Sequence, residues 1–268
     1  MLKPEDFFDL EGNHLKELFK NTEYVWDGLK NISVYIKNNI TPNVSNLRKG
    51  SSFLSRDMVI YDNKVLESGF IIDTVKGMVK NDGVVLEGAS IIYAGVVLMD
   101  DEIYIGKGTV IEPGALIKGP TIIGDNNEIR HGAYIRGNVI VGNKCVVGHA
   151  TEMKTAVMLG ESKAGHFAYI GDSILGKVNL GAGTKLANLK IIESKIILDI
   201  YGKKYETGLR KFGAIFADGV ETGCNSVTAP GSLLGRNVLL YPNATGRGYY
   251  PPNTIIKLKQ NQESEGRK

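Results

Sequence analysis

The chain has 268 residues, 43% of them hydrophobic and 23% charged, a composition typical of a globular protein with one large or two small domains. Its net charge of +3 is too small to indicate nucleic acid or an anionic membrane as a partner, and its two cysteines exclude a disulfide framework. The sequence contains neither an apolar run of membrane-spanning length nor an N-terminal secretion signal, so we expect a cytoplasmic location.

The N-terminal part of the chain carries the spacing of amphipathic helices. Apolar side chains recur there every three or four positions: Leu15, Leu18, Phe19, Trp26, Leu29, Ile32 and Ile36. Asn39 and Pro42 end this pattern. Residues 50–80 alternate weakly and predict short strands, for example in "MVIYD" and "GFIIDTV". We interpret residues 1–80 as a helical arm with short strands that packs against the rest of the chain.

From Leu86 onward, aliphatic residues recur at every sixth position, a period that fits neither a helix nor a simple strand. After one extra residue beyond Leu98, nine such anchors follow without a break: Ile105, Ile111, Ile117, Ile123, Ile129, Ile135, Val141, Val147 and Met153. Compact side chains precede most anchors by two positions, among them Thr109, Ala115, Thr121, Ala133, Val139, Cys145 and Thr151. A period of six is typical of a short strand and a tight corner, repeated as in a parallel β-helix.

The glycine content fits the same architecture. The chain has 33 glycines, well above the usual share of roughly 7%, and Gly or Asn at a corner adopts dihedral angles that other residues resist. One coil of such a helix consists of three successive hexapeptides. We therefore predict a mainly β fold, with a parallel β-helix over 81–250, a looped-out insertion near 187–213 where the repeat is missing, and a polar tail at 251–268.

The repeat slips by one position just before the stretch "GESKAGHFAYIGD" at 160–172. Met158 follows Met153 after five positions instead of six. His166 then lies two positions past an anchor, which predicts a corner position outside the core. A histidine there can accept a proton near neutral pH, so His166 is the candidate general base, with an ordinary surface histidine as the alternative.

Two long segments resemble a known enzyme family. The segment "GHATEMKTAVMLGESKAGHFAYIGDSILGKVNLGAGTKLANLK" (148–190) resembles the acetyltransferase half of the bacterial bifunctional enzyme that makes UDP-N-acetylglucosamine. The segment "TGLRKFGAIFADGVETGCNSVTAPGSLLG" (207–235) is similar to the C-terminal domain of sugar-1-phosphate nucleotidylyltransferases of the glucose-1-phosphate thymidylyltransferase type. The resemblance implies a left-handed β-helix, a homotrimer and acetyl-CoA as co-substrate.

The family's nucleotide-transferring domain has no counterpart in this sequence. Relatives carry more than about 200 residues before the β-helix, whereas about 80 precede it here, and the glycine-rich signature of that domain is absent. We therefore expect no nucleotidyl transfer by this chain.

The resemblance also implies residues for the sugar acceptor. The matched positions are His166 as the base that removes a proton from the attacking amine, and Arg136, Lys154, Tyr169 and Asn179 as acceptor-binding residues. Arg136 and Lys154 are separated by the length of one coil, that is, by three hexapeptides. We therefore expect the two cations to stack on one edge, where they would suit a dianionic phosphate. Two solvated surface charges are the alternative.

For acetyl-CoA, the resemblance implies contacts from Ala182, Asn188 and Gly223. Gly223 stands where the uridyltransferase-type relatives have serine. The backbone N–H groups of the "GAG" at 181–183 could face the thioester carbonyl. The basic stretch "YGKKYETGLRK" at 201–211 could bind CoA phosphates or be a solvated ribbon.

Other chemistry is less consistent with the pattern. His131 and His149 are one full coil apart, and His166 follows His149 by one position less than a coil. The three could form a column, as in hexapeptide proteins that bind zinc. The closely spaced histidine pair of those sites is missing, so we expect no metal. Cys145 and Cys224 lie at repeat positions that predict a packing role in the core.

These observations predict an acetyl-CoA-dependent N-acetyltransferase acting on an amino-sugar 1-phosphate of the glucosamine-1-phosphate type, in nucleotide-sugar biosynthesis. Two alternatives stay open. One is a non-catalytic trimer that binds a nucleotide sugar or scaffolds a separate sugar nucleotidyltransferase. The other is an O-acyltransferase acting on another sugar, because the same base could activate a hydroxyl group.

Overall fold

The computed structural model of the protein describes residues 2–74, 77–259 and 263. Its main body is a three-sided parallel β-helix in which each coil contributes one strand to each of three sheets. We call the sheets face 1, face 2 and face 3, in the order in which the chain visits them. This confirms the mainly β class and the parallel β-helix that the hexapeptide ladder predicts.

Face 1 is the longest sheet, with eleven strands, and it begins with an antiparallel hairpin that caps the first coil. In spatial order its strands are Lys64–Leu66, Met58–Tyr61, Ser90–Ile92, Val110–Ile111, Glu128–Ile129, Val146–His149, Lys163–His166, Asn179–Leu180, Glu221–Thr222, Leu239–Leu240 and Ile255–Ile256. The last of these strands lies within the predicted polar tail, so the β-helix continues beyond residue 250. Of the remaining tail, 260–262 and 264–268 lie outside the described residues.

Faces 2 and 3 have eight parallel strands each. The strands of face 2 are Val97–Leu98, Leu116–Ile117, Tyr134–Ile135, Glu152–Lys154, Tyr169–Gly171, Lys185–Leu186, Val227–Thr228 and Thr245–Gly246. The strands of face 3 are Ile103–Ile105, Thr121–Ile123, Val139–Val141, Ala156–Met158, Ile174–Leu175, Ala214–Phe216, Ser232–Leu234 and Tyr249–Tyr250. A separate antiparallel sheet of Phe70–Asp73, Met78–Asn81 and Val84–Val85 lies before the first coil.

The aliphatic ladder fills the interior of the β-helix. All nine anchors from Ile105 to Met153 are at most 2% exposed, and the later anchors Met158, Ala164, Ile170 and Leu175 are fully buried. The coil therefore absorbs the shortened step at Met158 without turning an anchor outward. Cys145 is buried as predicted, and burial raises the pKa of its thiol to about 12. The same prediction is wrong for Cys224, which lies exposed at a corner.

The predicted helical arm is present and covers face 3. It contains α-helices at Pro4–Phe7, Gly28–Asn39 and Ser45–Arg48 and 3₁₀ helices at His14–Phe19 and Val25–Asp27. The helix Gly28–Asn39 contacts the strands Val139–Val141 and Ala156–Met158. The apolar side of this helix carries Leu29, Ile32 and Ile36, all buried. Burial of that side against the sheet explains the helical periodicity of the sequence.

The outward side chains of face 3 explain why a cover is needed. Because side chains alternate along a strand, the residues between the anchors point outward. On face 3 these are all apolar or aromatic: Tyr104, Ile122, Ile140, Val157, Ile174, Ile215, Leu233 and Tyr249. The five from Ile140 to Leu233 are completely buried, so the arm and the β-helix share one core.

The predicted insertion is a β-hairpin of the strands Ile197–Ile200 and Lys203–Glu206. It leaves the coil after face 2 and returns to it at the start of face 3. Its side chains Ile196, Leu198 and Ile200 are buried. A Cβ on Gly231 would lie 2.7 Å from Ile196 and 2.9 Å from Leu198, which shows how closely the insertion approaches the next coil.

Candidate functional site

Two corners of the β-helix carry the predicted site residues. We call the first the histidine corner, where face 1 turns into face 2, with His131, His149, His166 and Phe167. We call the second the cation corner, where face 2 turns into face 3, with Arg136, Lys154, Asp172, Asn188 and Lys211. The strand Tyr169–Gly171 runs between the two corners.

The histidines do form a column, but His166 stands beside it. The rings of His131 and His149 stack with centroids 5.4 Å apart, and the ring of Phe167 lies edge-on to His149 at 5.0 Å. His166 is the backbone partner of His149 in the sheet. Because the coil is one residue short, Phe167 takes the next place in the column, and the exposed His166 ring is left outside the stack.

The ring nitrogens distinguish the three histidines. His131 Nδ1 lies 2.6 Å from the carbonyl oxygen of Pro113, and His149 Nδ1 lies 2.9 Å from the carbonyl oxygen of His131. A neutral ring that donates its Nδ1 proton to a carbonyl keeps Nε2 as its acceptor. These contacts hold His131 and His149 in the column, whereas the exposed ring of His166 faces solvent.

Left-handed dihedral angles at residues other than Gly and Asn recur at the corners of residues 144–172. Phe167 has a φ of +54°, in the left-handed region that bulky residues rarely adopt. Ala150, Thr155 and Asp172 also have positive φ, although corners elsewhere in the helix mostly use Gly or Asn. Strained dihedrals of this kind cluster at functional sites, so this part of the helix is set apart from the regular scaffold.

At the cation corner, Arg136 and Lys154 stack on adjacent coils as their spacing predicts. Their strands pair in register, and the N–H of Arg136 donates to the carbonyl oxygen of Met153 at 2.9 Å. Arg136 Nη1 also donates to Glu152 Oε1 at 2.6 Å. This pair lies partly in solvent, so it contributes little to stability and can rearrange around an anion.

Lys154 lies among more positive than negative charge. Burial lowers the pKa of its ammonium group, and Lys211 and Arg136 lower it further, against the opposing effect of Asp172. Lys154 is half-buried beside the exposed Arg136 and Lys211, so an anion at this corner would stabilise its charged form. This corner therefore has the electrostatic character of an anion site.

Tyr169 and Asn188 come together over Gly171. A Cβ on Gly171 would lie 2.6 Å from the Tyr169 hydroxyl oxygen and 2.9 Å from Asn188 Nδ2, so a larger residue there would displace these two groups. Asn188 Nδ2 donates to Asp172 Oδ2 at 2.5 Å. Burial raises the pKa of Tyr169, and Glu152 and Asp172 add to the effect, so its hydroxyl stays protonated and can donate a hydrogen bond.

The structure thus brings together Arg136, Lys154, Tyr169 and Asn188 at the cation corner. Asn179 lies exposed on face 1 between Lys163 and Glu221 of the neighbouring coils. Ala182 and Gly223 lie at the corner between faces 1 and 2, on the coils that follow His166.

The glycines at that corner refine two expectations. The N–H of Gly181 donates to Thr222 O at 2.9 Å and that of Gly183 donates to His166 O at 3.0 Å. The suggestion that the N–H groups of 181–183 face a thioester is therefore wrong for Gly181 and Gly183, because the coil already uses them, and stays a prediction for Ala182. A Cβ on Gly223 would lie 2.4 Å from Pro242, which explains why no serine stands there.

Sequence reasoning assigned no role to two carboxylates of the cation corner. Glu152 and Asp172 belong to the segment that carries the family resemblance. Their closeness in the chain to Lys154 and Tyr169 was the signal that could have identified them. Lys211 was predicted only as part of the basic stretch at 201–211, and the return of the chain at the end of the insertion brings it close to Lys154.

Within residues 2–74, 77–259 and 263, no group of three His, Cys, Asp or Glu side chains could hold a metal ion. The same part of the chain has no helix long and apolar enough to cross a membrane.

Comparison with known proteins supports the resemblance. The family profile described as the GMPPB C-terminal domain matches residues 117–222. The bifunctional sugar-1-phosphate nucleotidylyltransferase/acetyltransferase of Sulfurisphaera tokodaii is 39% identical over 92 residues, which are 34% of this chain and 23% of that protein. The bifunctional protein GlmU of Methanococcus vannielii is 36% identical over 91 residues, which are 34% of this chain and 22% of that protein.

This chain therefore matches less than a quarter of the length of these two relatives. Among solved structures, the UDP-N-acetylglucosamine acyltransferase of Francisella novicida is 16% identical, with a TM-score of 0.40 over 59% of this chain and 58% of that one. The predicted resemblance to sugar-1-phosphate nucleotidylyltransferase/acetyltransferases is confirmed by the sequence relatives.

Proposed function

We propose that this protein is an acetyl-CoA-dependent N-acetyltransferase that acts on an amino-sugar 1-phosphate of the glucosamine-1-phosphate type. The observation that carries the proposal is the cation corner, where Arg136, Lys154 and Lys211 gather beside Tyr169. A phosphate would neutralise the cations, and the tyrosine hydroxyl would donate to a sugar oxygen. The sequence relatives named for acetyl transfer support the same class of reaction.

The chemistry assigned to His166 is general base catalysis. Its neutral ring takes a proton from the sugar ammonium or from the amine as it attacks the carbonyl carbon of the thioester. The new C–N bond forms, the C–S bond breaks, and CoA leaves as the thiol after it regains a proton. The exposed position of the ring, outside the column of His131 and His149, leaves a nitrogen free for this role.

We also propose that the site is completed by a second copy of the chain in a homotrimer. His166 and the cation corner lie at opposite ends of the face 2 segment that runs from 166 to 171. A fully extended segment of this length, at about 3.3 Å per residue, would span up to roughly 15 Å, which exceeds the separation of the amine and the phosphate in one amino-sugar phosphate. A neighbouring protomer that places its histidine corner against this cation corner would close the gap.

Acetyl-CoA would then lie along the coils after His166, near Ala182 and Gly223, with Asn188 approaching from the other corner. Asn179 would face the sugar from face 1. Acetyl-CoA is the co-substrate in this proposal, and the chemistry needs no metal.

The test is release of CoA from acetyl-CoA with a panel of amino-sugar 1-phosphates, amino sugars without phosphate and sugar 1-phosphates without an amine. We expect turnover only when both the amine and the phosphate are present. Turnover with the hydroxyl-only sugar phosphates would replace the proposal by O-acyl transfer. Absence of turnover by an assembled trimer, together with binding of a nucleotide sugar, would replace it by the scaffold role.

A further inference from the structure

The insertion is tied to the β-helix at its base. The N–H of Phe212 donates to the carbonyl oxygen of Asn188 at 2.9 Å, and the N–H of Gly213 donates to that of Asp172 at 2.8 Å. The two ends of the insertion thus meet at the cation corner. Asn188 and Lys211, which lie at the two ends of the insertion, are both site residues, so the orientation of the insertion sets where their side chains lie.

The insertion is held a second time by the helical arm. The rings of Tyr24 and Trp26 stack with centroids 4.6 Å apart, and the ring of Tyr205 meets both edge-on, at 5.5 Å and 6.0 Å. Tyr205 belongs to the returning strand of the hairpin, whereas Tyr24 and Trp26 belong to the arm. We call these three residues the aromatic brace.

The brace joins parts of the chain that no sheet connects. The two strands of the hairpin pair only with each other in the sheet order of the described residues. The arm lies on face 3, and Trp26 within it is 1% exposed. Edge-on and stacked aromatic pairs add a specific geometry to the burial of their area, so the arm fixes the angle of the hairpin as well as covering it.

We propose that the aromatic brace makes the N-terminal arm a positioning element of the site. The arm fixes the hairpin through the brace, and the hairpin in turn holds Asn188 and Lys211 beside Lys154. The catalytic part of this inference rests on the proposed acetyl transfer. The structural part stands without it. It assigns a role to the arm beyond packing, since a change far from the reacting atoms would alter how the acceptor phosphate is bound.

The structural part is tested with the full chain by hydrogen exchange and intrinsic fluorescence. Trp26 is the single tryptophan, so its emission reports on the brace directly. In Tyr205→Ala we expect a red-shifted emission and exchange at 187–213 that is roughly tenfold faster, with protection of the β-helix unchanged. Tyr205→Phe keeps the ring and should behave as wild type. Ile197→Ala is the control, because it truncates an apolar side chain of the same hairpin that is 48% exposed, whereas the ring of Tyr201 packs edge-on against Tyr249 at 5.9 Å.

The catalytic part is tested by steady-state kinetics of the same variants. We expect Tyr205→Ala to raise the KM for the amino-sugar phosphate by roughly threefold to tenfold, with less than a twofold change in kcat, and Tyr205→Phe to restore the KM.

Exchange at 187–213 that does not change in Tyr205→Ala would overturn the brace, whatever the activity. Faster exchange with an unchanged KM would overturn the catalytic part of the proposal and leave the brace as a contact that only stabilises the hairpin. If wild type has no turnover, the function assigned above fails while the exchange result still decides whether the arm fixes the hairpin.

Discussion

Face 3 and the cation corner are built on the same hexapeptide backbone but present opposite chemistry to the outside. The outward residues of face 3 are apolar or aromatic throughout, and those from Ile140 to Leu233 are completely covered. The cation corner carries Arg136, Lys154 and Lys211 with only two carboxylates among its described neighbours. A repetitive scaffold therefore separates its tasks by face, with stability on one side and a candidate binding site on another.

The comparison teaches which observations indicate function in a solenoid. Outward apolar residues that are covered by the chain itself are explained by packing, and need no ligand. Packing gives no such explanation for Lys154, whose pKa is lowered by burial and by the neighbouring cations Lys211 and Arg136. Breaking the two regions separately should therefore affect different properties of the protein.

The largest effect should come from the base. We expect His166→Ala to lower kcat for acetyl transfer by about 10²–10⁴-fold, because a positioned general base contributes that much. The melting temperature should not change, since the ring is exposed. Initial rates and thermal unfolding check the prediction.

The matched control for the base is His131→Ala, at the same corner. Its ring is engaged with the carbonyl oxygen of Pro113, so we expect less than a threefold change in kcat. Equal losses in the two variants would mean that the corner acts through its shape, and an unchanged rate in His166→Ala would remove this residue from the mechanism.

Face 3 should show the reverse behaviour. We expect Ile140→Ala to lower the free energy of unfolding by about 2–5 kcal/mol, because it opens a cavity beneath the arm. The KM values of the folded enzyme should not change. Thr245→Ala, at an exposed outward position of face 2, is the control and should stay within about 0.5 kcal/mol of wild type. Denaturant titration measures the free energy of unfolding of both variants. Equal losses in Ile140→Ala and Thr245→Ala would contradict the division of tasks between the faces.

The smallest effect is a shift in pH dependence. Binding of a phosphate favours the charged form of Lys154, so affinity for the acceptor is present below the pKa of this residue and is lost as pH rises through it. Burial and neighbouring cations lower that pKa from 10.5, so the KM for the amino-sugar phosphate should rise at a lower pH than an ordinary lysine would give.

Lys154→Arg isolates this group, because a guanidinium stays protonated throughout the range. We expect the rise in KM to move to higher pH in this variant, while the profile for acetyl-CoA stays the same. Superimposable acceptor profiles of the variant and wild type would show that Lys154 does not bind the phosphate.

The functional residues could be predicted to different degrees. The stacking of Arg136 on Lys154 follows from the length of one coil, so it could be predicted from spacing alone. The meeting of Tyr169 with Asn188 could not, because it depends on the missing side chain of Gly171 and on the next coil. The same is true of Lys211, which an insertion returns to the corner.

The arm illustrates the same limit. Its helices could be predicted from the spacing of Leu29, Ile32 and Ile36, and the row of apolar outward residues on face 3 was a usable signal that a cover exists. Neither pattern says which residues of the arm meet the insertion. The ring contacts of Tyr24, Trp26 and Tyr205 required the packed structure, because the arm and the hairpin are far apart in the chain.

The sequence by itself determined the coil. A period of six places each aliphatic side chain inside a short strand, and burial of the anchors makes every other register unfavourable. Only the tertiary structure decided where charge accumulates and what the arm holds in place. Those features depend on contacts between residues far apart in the chain, and a local repeat carries no information about such contacts.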